Sequence, residues 1–148
     1  MKKPILALVL ASMAAGTTLA ALADETNPAI VHRQGIYKTM AGHMTAMKSI
    51  LFLGFEAPQD LSFHAQGILD SFMHMGNSYP PGSDKGETKA KPEIWSQPEK
   101  VKQRAMDAVG AAKDLVAATS GSDKKVMVTA FKTMGEKCKA CHDDFRKE

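Results

Sequence analysis

Four stretches of this chain carry apolar residues at alternating intervals of three and four, and that spacing limits most strongly what the chain can become. The first runs through Ile30, Tyr37, Met40, Met44, Met47 and Leu51. The second carries Leu61, Ala65, Ile68, Phe72 and Met75; the third Val101, Ala105, Ala108, Ala112, Leu115 and Thr119. The fourth reads Met127, Phe131 or Ala130, Met134, Cys138, Cys141 and Phe145. A helix of 3.6 residues per turn gathers such positions on one face, and no stretch shows the period of two that marks a strand. Breakers fall between the stretches. Asn27 is a capping residue and Pro28 suits a first helical turn, while Gly54 and Ala57-Pro58 end the first helix. The second helix is expected from Asp60. From Gly76 to Pro92 the composition turns to Gly, Pro, Ser, Asp and Lys, and Pro80-Pro81-Gly82 cannot continue a helix. This loop is long, as functional loops often are. The third helix follows Ser96 with Pro98 at an early position, Gly121 closes it, and Ser122 or Asp123 caps the fourth. The prediction is an all-α, antiparallel four-helix bundle.

The N-terminus reads differently. Lys2 and Lys3 precede an apolar run from Ile5 to Ala15, and Ala21-Leu22-Ala23 supplies a small-x-small cleavage pattern. Residues 1–23 are therefore expected to be a cleaved signal peptide and 24–148 the mature domain, exported to the periplasm. The run is shorter than the roughly 20 residues of a membrane span, so no span is expected in the mature chain. The sequence has 19 basic and 16 acidic side chains. Without Lys2 and Lys3 the mature chain is close to neutral, which argues against a nucleic-acid partner, since phosphate recognition needs a basic face.

Two cysteines occur in the whole chain, both within the last eleven residues. A bridge between Cys138 and Cys141 would close a very small loop and stabilise little, and a structural zinc site would need a second ligand pair. Neither accounts for His142. Cys138-Lys139-Ala140-Cys141-His142 is the attachment pattern of a c-type haem. On a helix, positions i and i+3 share a face, so both sulfurs reach one porphyrin edge as thioethers, and i+4 brings the imidazole toward the iron. A thiol–disulfide oxidoreductase would instead hold its pair at a helix N-terminus, where the dipole lowers a thiol pKa. One covalently bound haem c is the expected cofactor, attached near the C-terminus of the last helix, with His142 as axial ligand.

With that site at the extreme C-terminus behind four helices, the chain resembles the class II c-type cytochromes, the cytochrome c′ family in particular. The residues that carry the resemblance are Arg33-Gln34, Lys91-Pro92-Glu93-Ile94-Trp95, and the run from Cys138 to Arg146. The resemblance implies a haem inside the bundle, with the first helix over its distal face. It places Tyr37, four residues after Arg33, at the distal position, where the low-spin branch of the family has a ligating Met. It assigns Arg33 and Gln34 to the haem propionates, a role that suits the planar donor fork of arginine. Arg146 falls in the proximal pocket, or serves only the helix C-terminus electrostatically. Met40, Met44 and Met47 share the face of Tyr37 and are alternative thioether ligands, although methionine commonly fills irregular cores. Trp95 reads as an anchor for the long loop, and His32, His43, His64 and His74 are assigned no ligand role.

The resulting expectation is a periplasmic monohaem protein with high-spin iron that binds NO or CO, exchanges electrons with redox partner proteins, or both. A low-spin, purely electron-carrying cytochrome is the alternative. A haem enzyme is less expected, because no distal acid–base pair can be placed. The resemblance also implies a homodimer through the first two helices, and the first helix is read as carrying outward apolar residues, Ile36, Ile50 and Phe52, that are compatible with one.

Overall fold

In the computed structural model the described residues are 27–148, so the expected leader at 1–23 lies outside them. Helix α1 (Pro28–Phe52) starts where the Asn27 side chain accepts the Ala29 N–H at 3.0 Å. Pro28 occupies the first turn, where its missing N–H costs nothing. The chain leaves α1 through Gly54 at φ +81°, a left-handed conformation that glycine adopts without a side-chain clash. A single 3₁₀ turn (Pro58–Asp60) then leads into α2 (Leu61–Met73), so Asp60 precedes the helix and Met75 lies beyond its end.

After the long loop comes a one-turn helix, α3 (Glu93–Ser96), which the sequence did not distinguish from the helix that follows. Pro98 explains the break. Gln97, the residue before it, is held out of the helical region at φ −126° and ψ 56°. Helix α4 (Pro98–Thr119) then restarts, and α5 (Lys124–Phe145) is capped by Asp123, which accepts the Lys125 N–H at 2.8 Å. Among the described residues no strand forms; Ala90 and Arg146 make one isolated antiparallel bridge.

Helix α1 packs on α2, α2 on α4 and α4 on α5, the up-down-up-down order of an antiparallel four-helix bundle. Met47, Ile68, Leu115 and Met134, one from each long helix, are fully buried at the centre. Two of these four are methionines, whose unbranched side chains adapt to gaps between helices. Met44 packs against the same core.

Two expectations about faces are corrected. Ile50 does not point outward: it is buried in one cluster with Ala57 and Leu61, because the chain after α1 folds back over the end of the helix. Phe52 is 44% exposed, yet its ring meets Phe131 of α5 at 5.6 Å between centroids. Ala105 was expected inside and is exposed. The buried line of α4 through Ala108, Ala111, Leu115 and Ala118 continues back through the half-buried Arg104 and Val101, as the helical period requires.

On the outer side of α1 and α2 the His43 ring lies over Gly67, so a Cβ at 67 would run into it. His43 Nδ1 lies 3.0 Å from His64 Nδ1, so one imidazole donates and the other accepts. Burial, and then His64, hold the pKa of His43 below its ordinary value, which keeps it neutral. Gly67→Ala should gain about 1 kcal/mol of helix propensity yet lose more by displacing this ring. The expected net loss is about 1 kcal/mol, turning into a gain when His43→Ala is also present. Thermal unfolding of the two single variants and the double variant checks the sign change.

Candidate haem site

The last two turns of α5 present Cys138, Cys141 and His142 on one face, as their i, i+3, i+4 spacing requires. Neither cysteine is in a disulfide, and both are half-buried. Before attachment, burial is the first cause that raises the pKa of each thiol. Burial, followed by the Arg146 cation, lowers the pKa of His142. A neutral imidazole keeps the lone pair that a metal needs.

Tyr37 of α1 faces this group. Its ring and that of His142 stand edge to face with centroids 6.5 Å apart. Helices α1 and α5 thus meet through Phe52 and Phe131 near one end and through Tyr37 and His142 near the other. Burial, and then the neighbouring Tyr79, push the Tyr37 phenol far above the usual tyrosine range. It is a neutral phenol, which counts against tyrosinate as a ligand. Its hydroxyl lies 2.8 Å from the hydroxyl of Tyr79.

The loop before α3 closes over this end of the bundle, and Arg33 is what holds it. This arginine is 2% exposed, not a solvated surface cation. Its two terminal nitrogens donate to Ser83 Oγ (2.8 Å), Ser83 O (2.7 Å), Thr88 Oγ1 (2.6 Å) and Ser78 O (3.4 Å). Its guanidinium also lies 5.1 Å from the Tyr79 ring centre and 6.0 Å from that of Trp95. Gln34 donates to Glu87 O at 2.8 Å. The Trp95 indole donates to Tyr79 O at 3.2 Å and Pro80 O at 3.3 Å, so it does anchor the loop.

Beyond α5 the chain is extended at Arg146 and pairs with the loop: Lys91 N–H donates to Phe145 O, and Lys147 N–H to Lys89 O. Arg146 is exposed and lies near enough to His142 to act on its titration. Asp144 accepts from both Lys100 and Arg104 at 2.8 Å, and these two cations hold its carboxyl below the ordinary range. The last turn of α5 is thereby fixed to α4.

The structure brings Tyr37 to His142 and near Cys141, places Arg146 beside His142, and sets Arg33 and Gln34 one turn before Tyr37, engaged with the loop. Met44 and Met47 belong to the core, and Met40 is buried one turn after Tyr37. Tyr79 escaped the sequence reading. One signal for it existed: it is one of only two tyrosines and lies in the long loop.

The donor set fits a covalently attached haem: two thiols one turn apart, with a neutral imidazole on the same face. Among the described residues no group of three or more His, Cys, Asp or Glu side chains forms another metal site. A helical bundle that gathers these groups on its last helix defines a class II c-type cytochrome. The match to the family described as Cytochrome C′ spans residues 28–146, and the chain belongs to that family. Its cofactor is one covalently attached haem c.

The chain is 32% identical to cytochrome c′ of Allochromatium vinosum, over 93% of this chain and 97% of that protein. It is 33% identical to the crystal structure of cytochrome c′ from Thermochromatium tepidum, with a TM-score of 0.76, covering 81% of this chain and 95% of that one. Nitric oxide and carbon monoxide complexes of cytochrome c′ variants from Alcaligenes xylosoxidans are 27% identical. They share a TM-score of 0.74, over 81% of this chain and 94% of theirs.

Proposed function

We propose that this chain is a periplasmic monohaem cytochrome with a high-spin iron held by His142, which binds small gases such as NO or CO, transfers electrons, or both. The observation that carries the reading is Tyr37 opposite His142 at 6.5 Å between ring centroids, where a thioether would make a six-coordinate carrier. When bound, the haem supplies an iron that takes a diatomic ligand or exchanges one electron. Cys138 and Cys141 anchor the group, and His142, kept neutral by burial, serves as the proximal ligand. Tyr37 is bulky and neutral, so it restricts the distal side sterically without offering an anion, and access at the axial position decides ligand choice. Arg33 and Gln34 sit at the loop-covered edge and would meet the propionates there. Arg146 would stand on the proximal side. The nitric oxide and carbon monoxide complexes of related cytochromes c′ support the choice of ligands.

Met40 keeps the second reading alive, a low-spin electron carrier, because it is buried 7% exposed and three residues from Tyr37 on the same helix face. Export rests on the pattern at 1–23. No described helix is long and apolar enough to cross a membrane. A homodimer through α1 and α2 is consistent with Val31, Phe63 and Met73, which are 51%, 66% and 66% exposed.

Absorption spectra of the oxidised and reduced protein, with and without CO, test the reading. Broad high-spin bands that change on adding CO are expected. Sharp low-spin bands indifferent to CO would establish the electron-carrier reading instead. Tyr37→Met is expected to turn the spectrum low-spin through a new thioether ligand, and an unchanged spectrum would remove Tyr37 from the distal position.

A further inference from the structure

Tyr37 depends on another side chain for its position. Its hydroxyl has one hydrogen-bond partner among the described residues, the hydroxyl of Tyr79 at 2.8 Å. Either phenol can be the donor, and both are largely buried, so water competes weakly for the bond. Tyr79 itself is held from three directions. The Arg33 guanidinium lies 5.1 Å from its ring centre, Trp95 meets the ring edge to face at 6.0 Å, and the Trp95 indole donates to its carbonyl. Arg33 in turn binds Ser78 O, one residue before Tyr79. Of the two phenols, Tyr79 is the more tethered: beyond their shared hydrogen bond Tyr37 has the edge contact with His142, whereas Tyr79 is held by Arg33 and Trp95.

We propose that Tyr79 is a positioning residue of the distal pocket: its phenol latches the Tyr37 ring over the haem face, and a diatomic ligand must break that hydrogen bond to reach the iron. This rests on the gas-binding reading above and deepens it. Selectivity would then come from two residues, one that blocks and one that sets how hard the block is to move. The latch also links ligand arrival to the loop, because a displaced Tyr37 leaves Tyr79 without its partner.

The test is CO affinity of the holoprotein, read from the absorption change, for the unaltered chain, Tyr79→Phe, Tyr37→Phe and the double variant. Covalent haem content confirms that each has assembled. One neutral buried hydrogen bond corresponds to roughly a three- to tenfold gain in CO affinity for Tyr79→Phe. Tyr37→Phe should match that gain, and the double variant should add nothing further. A second readout is amide hydrogen exchange across residues 77–83. It should rise on CO addition in the unaltered chain and be insensitive to CO in Tyr79→Phe. Unchanged affinity in Tyr79→Phe, or a gain that persists when Tyr37 is already Phe, overturns the latch while leaving gas binding intact. A spectrum indifferent to CO in all four proteins, and in Tyr37→Ala as well, overturns the gas-binding reading and the latch with it.

Discussion

Acid–acetone extraction leaves no haem on the polypeptide when Cys138 and Cys141 are both replaced by alanine, whereas the unaltered chain retains all of it. The expectation follows from the site's chemistry. Both sulfurs lie on one face of α5, outside any disulfide, and the chain contains no other cysteine that could form a thioether. Each single replacement should leave one bond and therefore a haem that resists extraction, with an altered absorption band. His142→Ala separates attachment from ligation: the haem stays attached while the native axial ligand is lost and the spectrum shifts. Haem resisting extraction in the double-cysteine variant would mean that attachment lies elsewhere. This is the largest effect expected anywhere in the chain.

Arg33→Met should be the most damaging single change outside those three residues. The substitution preserves much of the side chain's length but removes four hydrogen bonds to Ser78, Ser83 and Thr88 and the cation beside Tyr79 and Trp95. Ser83 is 1% exposed and would keep acceptors with no donor. Charge-assisted bonds of this kind and the stranded acceptors together suggest a loss of about 3–5 kcal/mol. Against a typical domain stability of roughly 5–15 kcal/mol, that is a large share. Arg33→Lys should recover little, because an ammonium lacks the planar fork whose two terminal nitrogens each reach two oxygens. The urea midpoint gives the loss, and hydrogen exchange localises it: amides from 78 to 90 should lose protection first, ahead of α4. A loss below about 1 kcal/mol would mean that water replaces the guanidinium without difficulty.

The fold was legible because its determinants are local. Asn27, Pro28 and Asp123 act on the backbone within three residues of themselves, and the apolar spacing reports which face of each helix turns inward. The cysteine–histidine site was legible for the same reason, since i, i+3 and i+4 meet on any helix. What sequence did not show depends on residues far apart in the chain. Nothing within a few positions of Ile50 announces that the turn through Ala57 will cover it. The hydrogen bond from Tyr37 to Tyr79 and the four that Arg33 makes with the loop join segments some forty to fifty-five residues apart. The resemblance assigned Arg33 and Gln34 to an edge of the site, yet the loop oxygens around them follow only from how the segment after α2 returns to α1. Ala105 shows the opposite failure: a regular four-three spacing drifts around the helix, and the buried line passes through Arg104 instead.

The pairing of Lys89 and Lys91 with the backbone beyond α5 bears on how such a molecule is made. The walls around Tyr37 come from α1 and the loop, while the residues that fasten the loop at this end, Phe145 and Lys147, follow Cys138, Cys141 and His142 along the chain and emerge after them. Fastening therefore cannot run ahead of the segment that carries Cys138, Cys141 and His142. The order of residues along the chain, read from N- to C-terminus, ensures that the pocket is not sealed in this way before its two thiols have emerged to be joined to a haem.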